Sequence, residues 1–408
     1  MISTEGLDPT KISEINLGGA ELKSNARQVL YGWATNPPFY ILNNGPPQVI
    51  VGRYNDVQEV FTDPVRFSSV VPRGKGYEQF DRFLGSQFIT QMDGEQHARL
   101  RRLLMMAFTP SRLAQLEGRI ASLVDGLLDQ IEKNGPEFDA MTQYGAQLVV
   151  AVLLTAMMNL DADQRAAVLG FQEVQPLMTA TKPGDPFPQE AVIAHRRMVE
   201  VIQSLIDERR RKPHSDFLAD LVAARDEGDR LTDKELFDTI FGTAGALATL
   251  PRSSSGGIHM LYTHRDQLEQ LMADHALVPQ TVEECLRSAS NGYFTFPRVA
   301  TCDTQIGGTE IRKGMVVRPS PQAANYDPTV FPDPLKFDIH RNPKRIMSFG
   351  AGPHHCIGHA LGRKTLQIAI KSLITRFPKA RLVDPDFKPE YGGATGELRM
   401  KALPMRIE

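Results

Sequence analysis

The 408-residue sequence predicts a mainly helical fold with a small β region, built as a single large domain over 1–408. Three observations carry that expectation. Apolar residues recur at helical period over long stretches, 113–132, 144–158, 163–212 and 232–263. Patterns of strand type are short and confined to 39–51 and 299–317. No repeat and no low-complexity linker divides the chain, which is long enough to enclose one substantial core.

Composition narrows the function classes. A formal net charge of −2 gives no support to a nucleic-acid partner or a polybasic membrane surface, so a small-molecule ligand is expected. Residues 1–38 read as an N-terminal segment. Met1 to Lys23 is polar and lacks the apolar run of a signal peptide or membrane anchor, which points to a soluble cytoplasmic protein. Cys285, Cys302 and Cys356 are widely spaced and form no zinc-type cluster.

Taken in order, 39–42 and 49–51 flank a turn at Asn43-Asn44-Gly45-Pro46-Pro47 and read as a hairpin. A helix starts near 56–61. From 70 to 91 the period is lost, and glycines accompany Tyr77, Phe80, Phe83 and Phe88. The next helix opens at 96–103, where His97 and Arg101 stand four apart and share a face. A donor and a cation one turn apart suit a carboxylate; a solvated charged face is the plainer alternative.

Two helices are expected within 163–212, broken at Lys182-Pro183-Gly184-Asp185-Pro186-Phe187-Pro188, which cannot stay helical. Arg209, Arg210, Arg211 and Lys212 read as a solvated end that complements the dipole of the second. Thr232 and Glu235 form a capping box that opens one long apolar helix over 232–263, kinked where Pro251 removes an N–H. Glu284 and Arg287, three apart, can pair on one helical face. An extended segment over 291–301 carries Phe294, Phe296 and Arg298, and strand-like runs then turn at Gly307-Gly308.

Chemistry concentrates in 348–358, Ser-Phe-Gly-Ala-Gly-Pro-His-His-Cys-Ile-Gly. Cys356 stands before a helix whose Leu361, Leu366, Ile370 and Leu373 follow a 3.6-residue period. A helix N-terminus stabilises negative charge and so favours a thiolate there. The plainer reading of a single cysteine is a small core hydrophobe; the pattern around this one argues against it.

From Phe349 to Gly358 the run Phe-Gly-x-Gly-x-His-x-Cys-x-Gly resembles the haem-ligating signature of the cytochrome P450 family. The resemblance extends from about residue 39 to the C-terminus. It implies the cytochrome P450 fold, with haem b (iron protoporphyrin IX) between the central helix and the cysteine-loop helix and Cys356 as axial ligand to the iron. It implies that His97 and Arg101, which precede Phe108-Thr109-Pro110, bind a haem propionate, as do Arg298 and His354. Glu284, Arg287 and Arg341 would form a buried ion network that holds the cysteine loop. Ala323-Ala324-Asn325-Tyr326-Asp327-Pro328 is close to a further family run, and 391–395 would be a hairpin tip reaching the pocket. Residues 70–91 and 163–212 would form the substrate-access and lid regions. Phe83, Phe88, Val174, Leu177, Leu247, Phe294 and Phe296 would line a largely apolar pocket.

One patch departs from the family pattern. Counting back from His264-Arg265-Asp266-Gln267 places Thr249 at the alcohol of the usual acid–alcohol pair and Ala248 at the acid. A shift of one places Leu247 and Ala248 there, and neither register supplies a carboxylate. The resemblance therefore implies a monooxygenase that oxidises a small apolar substrate with dioxygen. Peroxide-driven or substrate-assisted chemistry (peroxygenation, rearrangement or coupling) and a non-catalytic haem sensor are its alternatives. The chain carries no flavin or iron–sulfur motif, so electrons would come from a separate ferredoxin and ferredoxin reductase. Arg101, Arg102, Lys344, Arg345, Arg363 and Lys364 are candidate contacts for that acidic partner.

Overall fold

The computed structural model describes residues 4–408 except 18, 43–45, 73–87, 183, 213, 227–228, 246, 248, 290–291 and 393–396. The chain groups into two units. One comprises Met1–Val71, Val124–Leu148 and Thr249–Glu408, and the other Pro72–Leu123 and Val149–Ala248.

The first unit contains a six-stranded sheet in the order Ile12–Ser13, Phe39–Ile41, Gln48–Val51, Val316–Pro319, Arg298–Ala300 and Phe67–Ser68. The expected hairpin is its second and third strands, antiparallel with Tyr40 opposite Val49; its turn residues 43–45 lie outside the described residues. Successive side chains on a strand point to opposite faces. Here both faces are covered, which is why Val49, Ile50 and Val51 are all buried. Tyr40, Val49 and Val51 pack into one apolar cluster with Phe61 and Phe67, while Ile41 and Ile50 join Leu30, Trp33 and Tyr326 in another. Thr304–Ile306 and Thr309–Ile311 pair around Gly307 and Gly308 as the sequence suggests. The strand Arg298–Ala300 instead pairs with Val316–Pro319.

Three helices of this unit pack against one another: Thr249–Thr263, Val278–Ser288 and His359–Arg376. The first runs through Ser253-Ser254-Ser255-Gly256-Gly257, residues that in isolation suggest a loop. Their small size is what the packing requires, because a Cβ on Gly257 would come within 3.0 Å of the Cys285 Cβ. Ser254 donates back to the Leu250 carbonyl at 2.9 Å and stays buried. The apolar stretch Ala140–Met157 meets the length and composition of a membrane span, yet its Tyr144 is buried and donates to the Ala369 carbonyl at 2.7 Å.

In the second unit the 163–212 region forms helices Ala162–Ala180 and Gln189–Arg211, interrupted where the prolines predict. Phe171, Met178, Met198, Ile202 and Leu205 form their buried face. Arg209 departs from the solvated helix end the sequence suggests. Its side chain is 2% exposed and pairs with Asp216 at 2.8 Å, because the helix after it begins on Asp216 and sets that carboxylate against the guanidinium.

The continuous 232–263 helix is also corrected. The capping box forms, with the Glu235 N–H donating to Thr232 Oγ1 and the Thr232 N–H donating to Glu235 Oε2. The helix then ends at Gly245, and a new one starts at Thr249. A continuous helix would drive the Pro251 ring into the Leu247 carbonyl. Restarting at Thr249 leaves Pro251 in a first turn, where a missing N–H costs nothing.

Candidate active site

Glu284 and Arg287 meet as the helical spacing predicts, both fully buried. Arg287 grips the carboxylate with two bonds of 2.7 Å, from Nε and Nη2. Arg341 adds a third donor at 3.3 Å, and the Asp338 N–H donates to the same carboxylate at 3.1 Å. The remaining guanidinium edge of Arg287 donates to the carbonyls of Asn325 and Pro334, each at 2.9 Å. Asn325 then reaches the cysteine segment: its Oδ1 accepts from the Met347 N–H at 2.7 Å and its Nδ2 donates to Ser348 Oγ at 2.9 Å. Ser348 closes the circuit by donating to the Leu286 carbonyl at 2.7 Å. Asn325 and Ser348 stood inside quoted runs, but no local signal assigned them this linking role.

The loop beyond Ser348 folds back on itself. The Cys356 N–H donates to the Phe349 carbonyl at 2.9 Å, and the His355 N–H donates to the Gly352 carbonyl at 3.0 Å. Gly352 has φ +66°, and a Cβ there would sit 2.4 Å from the Phe61 carbonyl oxygen, so no other residue fits without displacing backbone. Cys356 is exposed and lies just before the helix His359–Arg376. Cys285 is its opposite: it is fully enclosed, and burial pushes its thiol well above the usual range, keeping it a protonated apolar filler.

Two of the expected propionate partners, Arg298 and His354, lie in the same unit. Phe67 and Ser68 pair with Ala300 and Val299, neighbours of Arg298 on the same strand. Ser69 Oγ lies 2.9 Å from His354 Nε2. Arg298 is buried, and its guanidinium lies over the Phe61 ring at 5.5 Å, beside the carbonyl that Gly352 approaches. A buried guanidinium and an imidazole are both side chains suited to a carboxylate.

Arg363, one of the expected docking cations, is half-buried and already paired. It is bound to Glu283 by contacts of 2.6 and 3.1 Å and stacks over Phe349 at 4.4 Å. Its charge is thereby committed beside the residue whose carbonyl holds the Cys356 N–H.

The other expected residues fall as follows. His97 is buried and Arg101 half-buried on the helix Gly94–Met105 of the second unit. Phe88 packs at 6.2 Å from Phe241, whose ring also lies 5.4 Å from Phe171. Val174 is half-buried and Leu177 exposed on Ala162–Ala180, and Leu247 is buried. In the first unit, Phe294 stacks on Trp33 at 5.3 Å, and Phe296 is exposed. Thr249 is exposed at the start of its helix. Phe83, Ala248 and the hairpin tip at 393–395 lie outside the described residues.

These residues suit a haem. Cys356 is exposed just before a helix, its loop is held to a buried charge network, and Arg298 and His354 stand in the same unit. Together the fold and site suit a haem protein.

Comparison with known proteins agrees. The family model Cytochrome P450 matches residues 34–394. The chain is 35% identical over 344 residues to nocardicin C N-oxygenase of Nocardia uniformis subsp. tsuyamanensis, covering 82% of this chain and 83% of that one. It is 34% identical over 357 residues to mycinamicin IV hydroxylase/epoxidase of Micromonospora griseorubida, covering 86% of each. The structure of the LnmA cytochrome P450 hydroxylase from the leinamycin biosynthetic pathway of Streptomyces atroolivaceus S-140 matches with a TM-score of 0.82 and 31% identity, over 97% of this chain and 99% of that one. The chain belongs to the cytochrome P450 family. It is a monooxygenase, an oxidoreductase with a haem-iron cofactor.

Proposed function

We propose that this enzyme inserts one oxygen atom from dioxygen into a small apolar organic substrate, using haem b ligated by Cys356 and electrons from a separate ferredoxin and its reductase. The observation that carries the reading is an exposed Cys356 whose loop is tied, through half-buried Ser348, to a network of buried Glu284, Arg287 and Asn325. Burying that charge is costly unless its geometry is needed. The relatives named an N-oxygenase and a hydroxylase/epoxidase support oxygen insertion.

When bound, the haem iron supplies dioxygen binding and oxygen-atom transfer, tuned by its thiolate ligand. The chain supplies the rest. Cys356 Sγ is presented by the backbone turn at Phe349, and Arg298 and His354, with His97 and Arg101, neutralise the propionates. Thr249 Oγ1 holds water or a proton on the oxygen side. Phe83, Phe88, Val174, Leu177, Leu247, Phe294 and Phe296 are the apolar side chains offered to the substrate. Lys344 and Arg345, both exposed, remain docking candidates with Arg101, Arg102 and Lys364.

A second reading, peroxide as the oxidant, is favoured by one observation: no carboxylate stands at 247–249. The reduced, carbon-monoxide-treated holoenzyme is expected to show the thiolate-type absorption, and Cys356→Ala to lose it; an unchanged spectrum overturns the ligand assignment. Product formed with hydrogen peroxide but not with dioxygen, reductant and ferredoxin would replace the first reading by the second. Under the first reading, Ala248→Glu raises product formed per reductant consumed.

A further inference from the structure

The last carbonyls of a helix have no partner within it. At the end of Val278–Ser288 two hydroxyls from elsewhere in the chain supply one. Ser348 Oγ donates to the Leu286 carbonyl at 2.7 Å, and Tyr326 Oη donates to the Ser288 carbonyl at 2.6 Å. The contact with Tyr326 is reciprocal, because Arg287 Nη1 donates to the Asn325 carbonyl at 2.9 Å. Arg287-Ser288 and Asn325-Tyr326 are thus stapled by two bonds, one in each direction. Asn325 is the residue whose side chain holds Met347 and Ser348. Tyr326 stands one step behind the bonds that place the cysteine loop.

The ring of Tyr326, fully buried, makes a second set of contacts. The Arg287 guanidinium lies 5.8 Å from its centre, and that of Arg27, on the helix Ala26–Thr35, lies 6.0 Å from it. The two arginines grip successive carbonyls, Arg287 that of Pro334 and Arg27 that of Leu335. Like charges brought to one place repel. The negative face of an aromatic ring offsets that repulsion, which an aliphatic side chain cannot do. A phenylalanine would fill the same space without a donor for Ser288, so only tyrosine serves both the two cations and the helix end.

We propose that Tyr326 is a positioning residue for Cys356. It fixes Asn325 against the end of the helix Val278–Ser288 and, through Arg27, ties the helix Ala26–Thr35 to the same network. The inference rests on the reading of Cys356 as the iron's ligand, and it adds to the Glu284 network a member that charge pairing does not reveal.

The test follows the reduced, carbon-monoxide-treated holoenzyme in a fixed concentration of urea below the unfolding transition, by its thiolate-type absorption and by far-ultraviolet circular dichroism. Tyr326→Phe keeps the ring and deletes the donor; it is expected to lose the absorption about fivefold faster than the wild type, the size of one net hydrogen bond. Tyr326→Leu, without the ring, should lose it about tenfold faster or more, and Arg27→Met about threefold faster. In all three the dichroism holds while the absorption decays. Leu30→Ala, which opens a cavity in the apolar cluster that Tyr326 shares, is the control for a purely structural loss, with both signals falling together. If the Tyr326 variants lose both signals together as that control does, or keep the wild-type rate, the assignment is overturned and Tyr326 is a core filler only. Those outcomes leave the ligand reading standing, whereas a wild type without thiolate-type absorption overturns that reading and this inference with it.

Discussion

The segment leading to Cys356 and the helix Thr249–Thr263 both pack against the helix Val278–Ser288, and they do so by different means. The cysteine segment is held by directed bonds: Ser348 donates to Leu286, and the Glu284–Arg287 pair reaches it through Asn325. The other helix is held by close approach, with Gly257 against Cys285 and small serines along its length. Directed bonds fix the position of one atom, which is what a metal ligand needs. Close packing fixes a surface and leaves the helix start, where Thr249 is exposed, outside that contact. The two regions should therefore fail differently.

Breaking the bonded side should have the largest effect. Glu284→Gln keeps the shape but leaves the Arg287 guanidinium, with no exposed surface, without its counter-charge. Loss of one partner from such a pair costs about 3–5 kcal/mol. Urea unfolding of the holoenzyme should show that loss, with the thiolate-type absorption decaying as the Cys356 loop loosens. A change below about 1 kcal/mol, the scale of a surface pair, would mean that the network does not hold the loop.

Overpacking the other side should cost less. Gly257→Val places a branched side chain against the Cys285 Cβ, where even the first carbon comes within 3.0 Å. Inserted methyl groups in a packed interior cost about 1–3 kcal/mol. Gly257→Ala should be near neutral, because removing a helical glycine returns about 1 kcal/mol of propensity. The same urea measurement distinguishes them: equal stabilities for the valine and alanine variants would show that the helices separate freely and that the contact does not position Thr249.

How far each region could be read in advance follows from the same contrast. The cysteine loop was legible because its constraints are local: glycines where φ is positive or backbone is close, a histidine and a cysteine at fixed spacing, and Glu284 and Arg287 one turn apart. Arg298 and His354 are expected as partners of one group from family spacing, whereas the contact of His354 with Ser69 is tertiary. The break before Thr249 was not read, because the apolar period over 232–263 and the capping box at Thr232 both favour one helix, and Pro251 was weighed as a kink rather than a start. Ser253-Ser254-Ser255-Gly256-Gly257 says little until a partner helix is known to lie against it. The pairings of Arg363 with Glu283 and of Arg252 with Glu397 join residues far apart in the chain, and charge alone does not choose between a solvated face and a buried partner.

The smallest effect should come from the pH response of the packed helix. His259, near its end, lies 3.4 Å from the Phe387 carbonyl through Nε2, with the Phe387 ring at 6.0 Å. Burial lowers its affinity for a proton below the usual histidine range; the Phe387 carbonyl opposes that shift, while Arg27 and His264 add to it. The folded state therefore resists protonation at this site. Above about pH 6.5, the ordinary histidine value, both folded and unfolded chains carry a neutral imidazole and the site has no effect. As the pH falls below that value the unfolded chain takes up a proton that the folded chain refuses, so stability declines until the folded imidazole also titrates. His259→Gln keeps a donor for the Phe387 carbonyl and removes the titration. Thermal unfolding at about pH 7.5 and about pH 5.5, bracketing the ordinary value, should show the wild type losing more stability than the variant. Equal losses would show that the imidazole titrates alike in both states, and that this end of the helix is as open to solvent as its start at Thr249.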